Sequence, residues 1–464
     1  LSKQFGNYRS AIVWSNRLLN NKLGISIKGN YENTNRSSED INTSWNVISD
    51  ENSLAGGRRF EVNRLTLDFQ SRYIRRLGTT TQVDYKYKTG TVIGQFFYSE
   101  KRTSLRSQNN ILDGGSSTMI HRPSHSKTKN GTYQFMLNGT QSMSGIEASW
   151  VLARNNTTHD KYYDVTMEVE QLGAIIKDTH PVTGELLKPP SSAQELFGRQ
   201  TYNYDNAYLK KYFWEPEQVS HDNVTVALDL QKEFSIRESW KGCAKLGAKF
   251  RSDKRKRGHE HQLQNWYGSR AEVRDEAEDL WPHRLVRNAN GHISIENFAE
   301  LGAAIPNQSQ PYIIRPSYSF NIIDDWHQYQ GTTLVDNLGD EALKYSVTEK
   351  VSATYLMLKL RYQSWFTILP GVRYEYADNA YTGRVSSLDD NGNFQWVKHM
   401  GGTSNDFGAS LAIDGAGDIY VTGYFSSSII NFDSSLLNLV DNSDVYVVKY
   451  SVSGNVLWIK QSTA

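Results

Sequence analysis

"GTTTQVDYKYKTGTVIGQFFYSE", residues 78–100, decides the fold. Thr79, Thr81, Val83, Tyr85 and Tyr87 alternate with Thr80, Gln82, Asp84, Lys86 and Lys88. A period of two means a strand with one apolar and one polar face. The Thr-Gly at 89–90 is too short for anything but a tight reversal. The stretch therefore predicts a hairpin, 75–88 with 91–101.

The same alternation recurs along the chain. Leu23, Ile25, Ile27 and Tyr31 oppose Ser26, Lys28, Asn30 and Glu32. Val224, Val226, Leu228 and Leu230 oppose Thr225, Ala227, Asp229 and Gln231. Phe366, Ile368, Val372, Tyr374 and Tyr376 oppose Thr367, Arg373 and Glu375. The pattern predicts ten strands in five hairpins: 8–16/22–32, 75–88/91–101, 130–140/145–154, 221–234/242–254 and 346–362/366–380. Links within hairpins are short. Links between them, 33–74, 102–130, 155–220 and 255–345, are long and polar and read as loops. Short turns at one end and long loops at the other are the layout of a transmembrane barrel. The fold expected is all-β: an antiparallel, partial transmembrane barrel of about ten strands, followed by a propeller-blade fragment.

Composition bounds the function. The 464 residues carry 51 Lys plus Arg against 50 Asp plus Glu, so the basic excess of a general nucleic-acid binder is absent. A single cysteine, Cys243, excludes a disulfide framework and a multi-cysteine zinc site. No apolar run reaches the ~18 residues of a membrane helix. The 27 Tyr, 17 Phe and 11 Trp suit strands and membrane interfaces.

Three pieces carry a resemblance. "NRLLNNKLGISIKGNYENTNRSSE" resembles the early barrel strands of TonB-dependent outer-membrane receptors of the Bacteroidota type. "LDLQKEFSIRESWKGCAKLGAKFRSDKRKR" and "EKVSATYLMLKLRYQSWFTILPGVRYEYADNAYTG" resemble later hairpins of the same receptors. The resemblance covers about residues 5–385. It implies energy-coupled uptake of a scarce ligand, a siderophore, vitamin or glycan, through the bacterial outer membrane. It implies outer-membrane lipid as a partner, with a TonB-type coupling protein only if a plug is supplied elsewhere. The chain departs from the pattern. No plug or TonB-contact segment is recognised, the strands number about ten where such barrels have ~22, and the end, "KQSTA", is not an aromatic-terminated strand. Transport by this chain alone is therefore not expected, and no enzymatic activity is expected. The alternative is a secreted or surface-attached soluble β-rich binding or adhesion protein.

The face assignments follow. Tyr85, Tyr87, Leu228, Leu230 and Tyr374 are expected to face lipid, and Lys28, Asp84, Lys86, Asp229, Arg373 and Glu375 the lumen. Trp266, Tyr267, Trp281 and His283, in the last long link, are the candidate ligand contacts. His259 and His261 flank Glu260 with no further ligands at a useful spacing, so no metal or cofactor is expected. The basic run from Lys249 to Arg257 reads as a solvated loop or a contact for lipid phosphates.

From residue 386 the sequence changes. "DDNGNFQW" at 389–396 is echoed by "SGNVLW" at 453–458, with Gly392 and Gly454 62 residues apart. With "LAIDGAGDIYVTG" and "DVYVVKY" between them, residues 386–464 resemble the SBBP β-propeller repeat, and one such unit is a fragment of a ring of 4–8 blades. "DDNGN" suits both a barrel loop and the start of a propeller repeat. The expectation is a hybrid chain, two units of unrelated ancestry joined at that string.

Overall fold

The computed structural model describes residues 7–49, 58–176, 190–236, 239–305, 308, 312–331, 334–336, 343–363, 366–388, 394–402, 404, 406–432 and 435–463. The fold is all-β and antiparallel, with three short α-helices among the described residues. Six strands open it: β1 (Tyr8–Leu18), β2 (Leu23–Ser49), β3 (Arg58–Tyr87), β4 (Gly90–Asp113), β5 (Thr118–Met143) and β6 (Ile146–Gln171). Then come α1 (Ala193–Gly198), β7 (Ala207–Trp214), β8 (Glu217–Ile236), β9 (Trp240–His259) and β10 (Gln262–Gln264). An excursion follows: α2 (Ala271–Leu280), β11 (Ala299–Glu300), β12 (Ser317–Tyr318), α3 (Phe320–Gln330) and β13 (Val335–Asp336). The chain returns through β14 (Tyr345–Tyr362), β15 (Phe366–Ile368) and β16 (Gly371–Leu388).

The ten expected strands are β1 to β6, β8, β9, β14 and β16, each paired antiparallel to the next. The hairpin turns use residues that tolerate positive φ. Asn20 and Asn21 lie at φ 52° and 65°, and Ser144 and Gly145 at 52° and 78°. No pairing among the described residues joins β1 to β16, so the sheet is open.

Two of the expected long loops are mostly strand. Asn33–Ser49 of β2 pairs with Arg58–Arg75 of β3, and Arg102–Asp113 of β4 pairs with Thr118–Lys129 of β5. These extensions are mostly polar, although Val62, Leu65 and Leu67 of β3 and Leu112 of β4 hold apolar positions in the core around Leu196. The 30 residues of β3 span ~100 Å, several times a bilayer crossing.

The register carries a systematic stagger. Leu18 and Leu23, the closing pair of the first hairpin, are level with Tyr85, Val92, Trp150, Leu228, Thr354 and Tyr374. The next closing pair, Tyr87 with Gly90, lies two residues beyond that level, and Met143 with Ile146 lies four beyond. Ile236 with Trp240, and Tyr362 with Phe366, lie eight beyond. The drift is about one residue per strand. At ~3.3 Å rise and ~4.8 Å between strands it corresponds to a tilt of about 35°, the tilt of strands in a barrel wall.

At the far end from the hairpin turns, the same sheet is covered by protein. The upper part of β6 leaves β8 and pairs with β7, which pairs with β10. On this platform α3 buries Ile323, Trp326 and Gln330, one stripe at helical spacing, against Val165, Met167 and Val169 of β6 and Tyr212 of β7. A second core joins Leu196 of α1 to Leu65, Leu67 and Leu112. The Ser192 hydroxyl caps α1 by accepting from the Glu195 amide.

The tail holds β17 (Phe394–Gly401), β18 (Asp406–Ile413), β19 (Ile419–Phe425), β20 (Ile429–Phe432), β21 (Ser435–Asn438), β22 (Asp444–Tyr450) and β23 (Val456–Thr463). Strands β18, β19, β22 and β23 form one four-stranded meander. Its core joins Val421, Phe425, Tyr446 and Val448 to Trp396. Gly454, at φ +81°, lies against that indole: a Cβ there would come within 2.6 Å of Trp396 Cγ. The glycine and tryptophan of the repeated string thus pack on each other across the unit. The joining string, residues 389–393, lies outside the described residues.

Candidate functional site

Tracing the register fixes which side chains share a face, because directly paired residues point the same way. Tyr85, Tyr87, Leu228, Leu230 and Tyr374 lie on one face, and Lys28, Asp84, Lys86, Asp229, Arg373 and Glu375 on the other. Eleven residues read separately from four windows of alternation fall into two sets on one continuous sheet.

The first face is apolar across all ten strands near the turns. Ile27, Val83, Phe96, Phe135, Leu152, Val226, Leu246, Leu356 and Val372 belong to it, and every one is exposed. Its limits follow the stagger. Charges on this face begin eight residues above the Val92 level at Glu100 on β4, six above Leu228 at Asp222 on β8, and four above Tyr374 at Asp378 on β16. The apolar zone is thus a slanted band. Higher on the same face, Gln108, Asn110 and Leu112 continue the alternate positions of β4 that carry Val92 and Phe96. There the fold covers the sheet: Gln108 and Asn110 donate to the Pro316 and Arg315 carbonyls, and Leu112 enters a buried core.

The second face is a polar lattice. Arg17 pairs with Asp84 at 2.6 Å, the Tyr355 hydroxyl donates to Asp229 at 2.7 Å, and Gln95 donates to Gln82 at 3.1 Å. Arg373 Nε donates to Glu375 at 3.2 Å, and Lys28 and Lys86 are exposed. Thr140, Ser149, Asp229, Lys245 and Tyr355 line an open cavity of about 510 Å³ on this face. The basic run is the upper part of β9, not a loop, and it divides. Lys249, Arg251, Arg255 and Arg257 share the polar face with Asp253, while Lys254 and Lys256 stand above the apolar band.

The four aromatic candidates do not form one surface. Tyr267 is fully buried, 6.0 Å from the Trp326 ring, and belongs to the core of the excursion rather than to a contact surface. Trp281 is half-buried and packs on Trp326 and Tyr329. His283 is exposed beside Trp281, and Trp266 is exposed beneath the Arg270 guanidinium at 3.9 Å. Only Trp266 and His283 face solvent.

A polar chain that sequence reading did not find ties α3 to the sheet. Ser104 Oγ lies 3.0 Å from His125 Nε2, His125 Nδ1 lies 2.7 Å from Asp324, and the Tyr163 hydroxyl donates to Asp324 at 2.6 Å. Burial raises the Asp324 pKa, but the His125 and Tyr163 hydrogen bonds outweigh it and hold the carboxyl below its ordinary value. The order Ser, His, Asp is that of a nucleophile and its base. His125 is 1% exposed, however, with its ring packed between Tyr163 and Phe320, so the chain acts as a tether. Its members are 220 residues apart in sequence, and no local pattern announces them.

No curated protein matches the chain. Among solved structures, the ferric preacinetobactin receptor BauA from Acinetobacter baumannii is similar over 97% of this chain and 71% of its own, at 8% identity and a TM-score of 0.21. A likeness at that level carries no argument about function. The tail is placed more firmly: residues 395–429, running from β17 to the start of β20, match the family model of the SBBP beta-propeller repeat.

Proposed function

We propose that residues up to about 385 form wall of an outer-membrane β-barrel of the TonB-dependent receptor type. The uptake served is that of a scarce ligand such as a siderophore, vitamin or glycan. The observation that carries this reading is the uncovered apolar band. Exposed apolar patches on water-soluble monomers rarely exceed a few hundred Å². Here exposed aromatic and aliphatic side chains continue across ten strands, while the same face higher up is covered by the protein's own helices. Lipid is the solvent that suits the uncovered part, and the polar lattice on the other face suits a lumen. The tilt implied by the stagger supports the same reading.

The open edges of β1 and β16 are costly in lipid unless paired, so the wall is read as part of a larger closed assembly. A TonB-type partner enters only with a plug. The propeller repeat favours a second reading, a surface-attached soluble binding or adhesion protein. Purification without detergent separates the two. The barrel reading expects the full chain to enter detergent micelles or vesicles and to aggregate without them. A monodisperse detergent-free protein overturns it.

A further inference from the structure

At the upper margin of the band, three cations stand side by side on adjacent strands. Arg75 of β3 is directly opposite Arg102 of β4, and Arg102 is directly opposite Lys129 of β5. All three lie on the apolar-band face, Arg75 and Arg102 exposed and Lys129 half-buried, in line with Val83, Phe96 and Phe135 below them. Like charges directly opposite destabilise a ladder. Glu100 offsets part of this, 2.6 Å from Arg102 and 3.3 Å from Lys129, and Asp160 is the register partner of Lys129 on β6. Arg75 has no ion pair among the described residues. Immediately below, Glu100 is level with Tyr31, and one position further down stand Tyr98 and Tyr133, with Tyr8 at 5.7 Å from Tyr31. Tyrosines are enriched at the boundary between acyl chains and headgroups, and cations just outside it meet phosphates.

We infer that Arg75, Arg102 and Lys129 form a docking site for a phosphate-bearing lipid headgroup. Strands ~4.8 Å apart set the cations at a spacing that two or three can share around one phosphate. The occupant is lipid rather than free phosphate because the row abuts the band, so acyl chains would continue down onto Phe96 and Phe135. The site rests on the outer-membrane reading proposed above.

The test uses the full chain, folded into phosphatidylcholine vesicles with and without a fifth of phosphatidic acid. Lipid retained after gentle detergent extraction is read by native mass spectrometry. Wild type is expected to retain phosphatidic acid at least about tenfold over phosphatidylcholine. The triple variant Arg75→Gln, Arg102→Gln, Lys129→Gln is expected to insert equally well and lose the preference, and excess inorganic phosphate is expected not to displace the lipid. An unchanged preference in the variant, or full displacement by phosphate, overturns the site. A wild-type chain that inserts and shows no preference also overturns it and leaves the barrel standing. A chain that inserts into neither vesicle overturns the barrel reading and the site together.

Discussion

Leu228→Arg, set against Asp229→Asn, tests the face assignment with two neighbouring residues. Leu228 is 44% exposed on the apolar band, and its register partners are Trp150 and Ala248. Asp222, the first charge above it on that face, is six residues away, and the turn pair Ile236 with Trp240 is eight below. With ~3.3 Å per residue and a tilt of about 35°, Leu228 lies ~16 Å below the charged margin, near the middle of a ~25 Å band. An arginine there should cost about 2–4 kcal/mol in lipid. Asp229 points the other way and accepts from Tyr355, so Asn keeps its shape and much of that hydrogen bond, and about 1 kcal/mol or less should be lost. The assay is equilibrium folding into vesicles against urea, followed by the heat-dependent gel mobility of folded barrels. Leu228→Arg should lower the folded-to-unfolded ratio by roughly 30-fold or more at fixed urea, and Asp229→Asn should stay within a few-fold. Equal penalties, or an Arg variant as stable as wild type, would refute the face assignment.

Gly247 lies under Asp229 and the Tyr355 ring with no space for a Cβ, so Gly247→Ala should break their hydrogen bond and cost about 1–3 kcal/mol in the same assay. Gly454→Ala should destabilise the tail by about 1–3 kcal/mol through its positive φ and its contact with Trp396, read as a lower melting transition and a red-shifted tryptophan emission. His121 is fully buried beside Gln171, Tyr204 and Tyr318, and burial pushes its pKa down to about 4. The unfolded chain binds this proton with a pKa of ~6.5, so stability is full above pH ~6.5 and falls as pH drops toward 4, by about 3 kcal/mol in all. Unfolding midpoints between pH 4 and 8 should show that slope, and His121→Phe should flatten it. Trp326→Ala should cost about 3–5 kcal/mol and loosen the excursion, seen as faster proteolysis between α2 and α3.

The ten strands and their faces were legible because one face of each is apolar near the turns, which writes a period of two into the sequence. Beyond that band the signal weakens, with Leu65 and Leu67 of β3 its clearest remnant. "NTNRSSED", residues 33–40, reads as loop because both faces are polar, yet the pairing from Leu23 with Tyr85 simply continues through it. The α3 stripe of Ile323, Trp326 and Gln330 lies in the sequence, inside a long link of polar overall composition. Residue type could not separate Trp266 from Tyr267: both are aromatic neighbours, and only the packing of Trp326 determines that one is exposed and the other buried. The row of Arg75, Arg102 and Lys129 exists only through register, since its members are 27 residues apart in sequence.

The strand β16 belongs to two units at once. Its first part, Gly371–Thr382, pairs with β14 of the large sheet, and its last part, Gly383–Leu388, pairs with β17 of the tail. A pull on the tail along this strand would load the β14 pairing in shear, many hydrogen bonds at once, rather than peeling them apart singly. The junction is therefore a mechanical splice, and a load carried by the tail would reach the large sheet as a force along one continuous backbone.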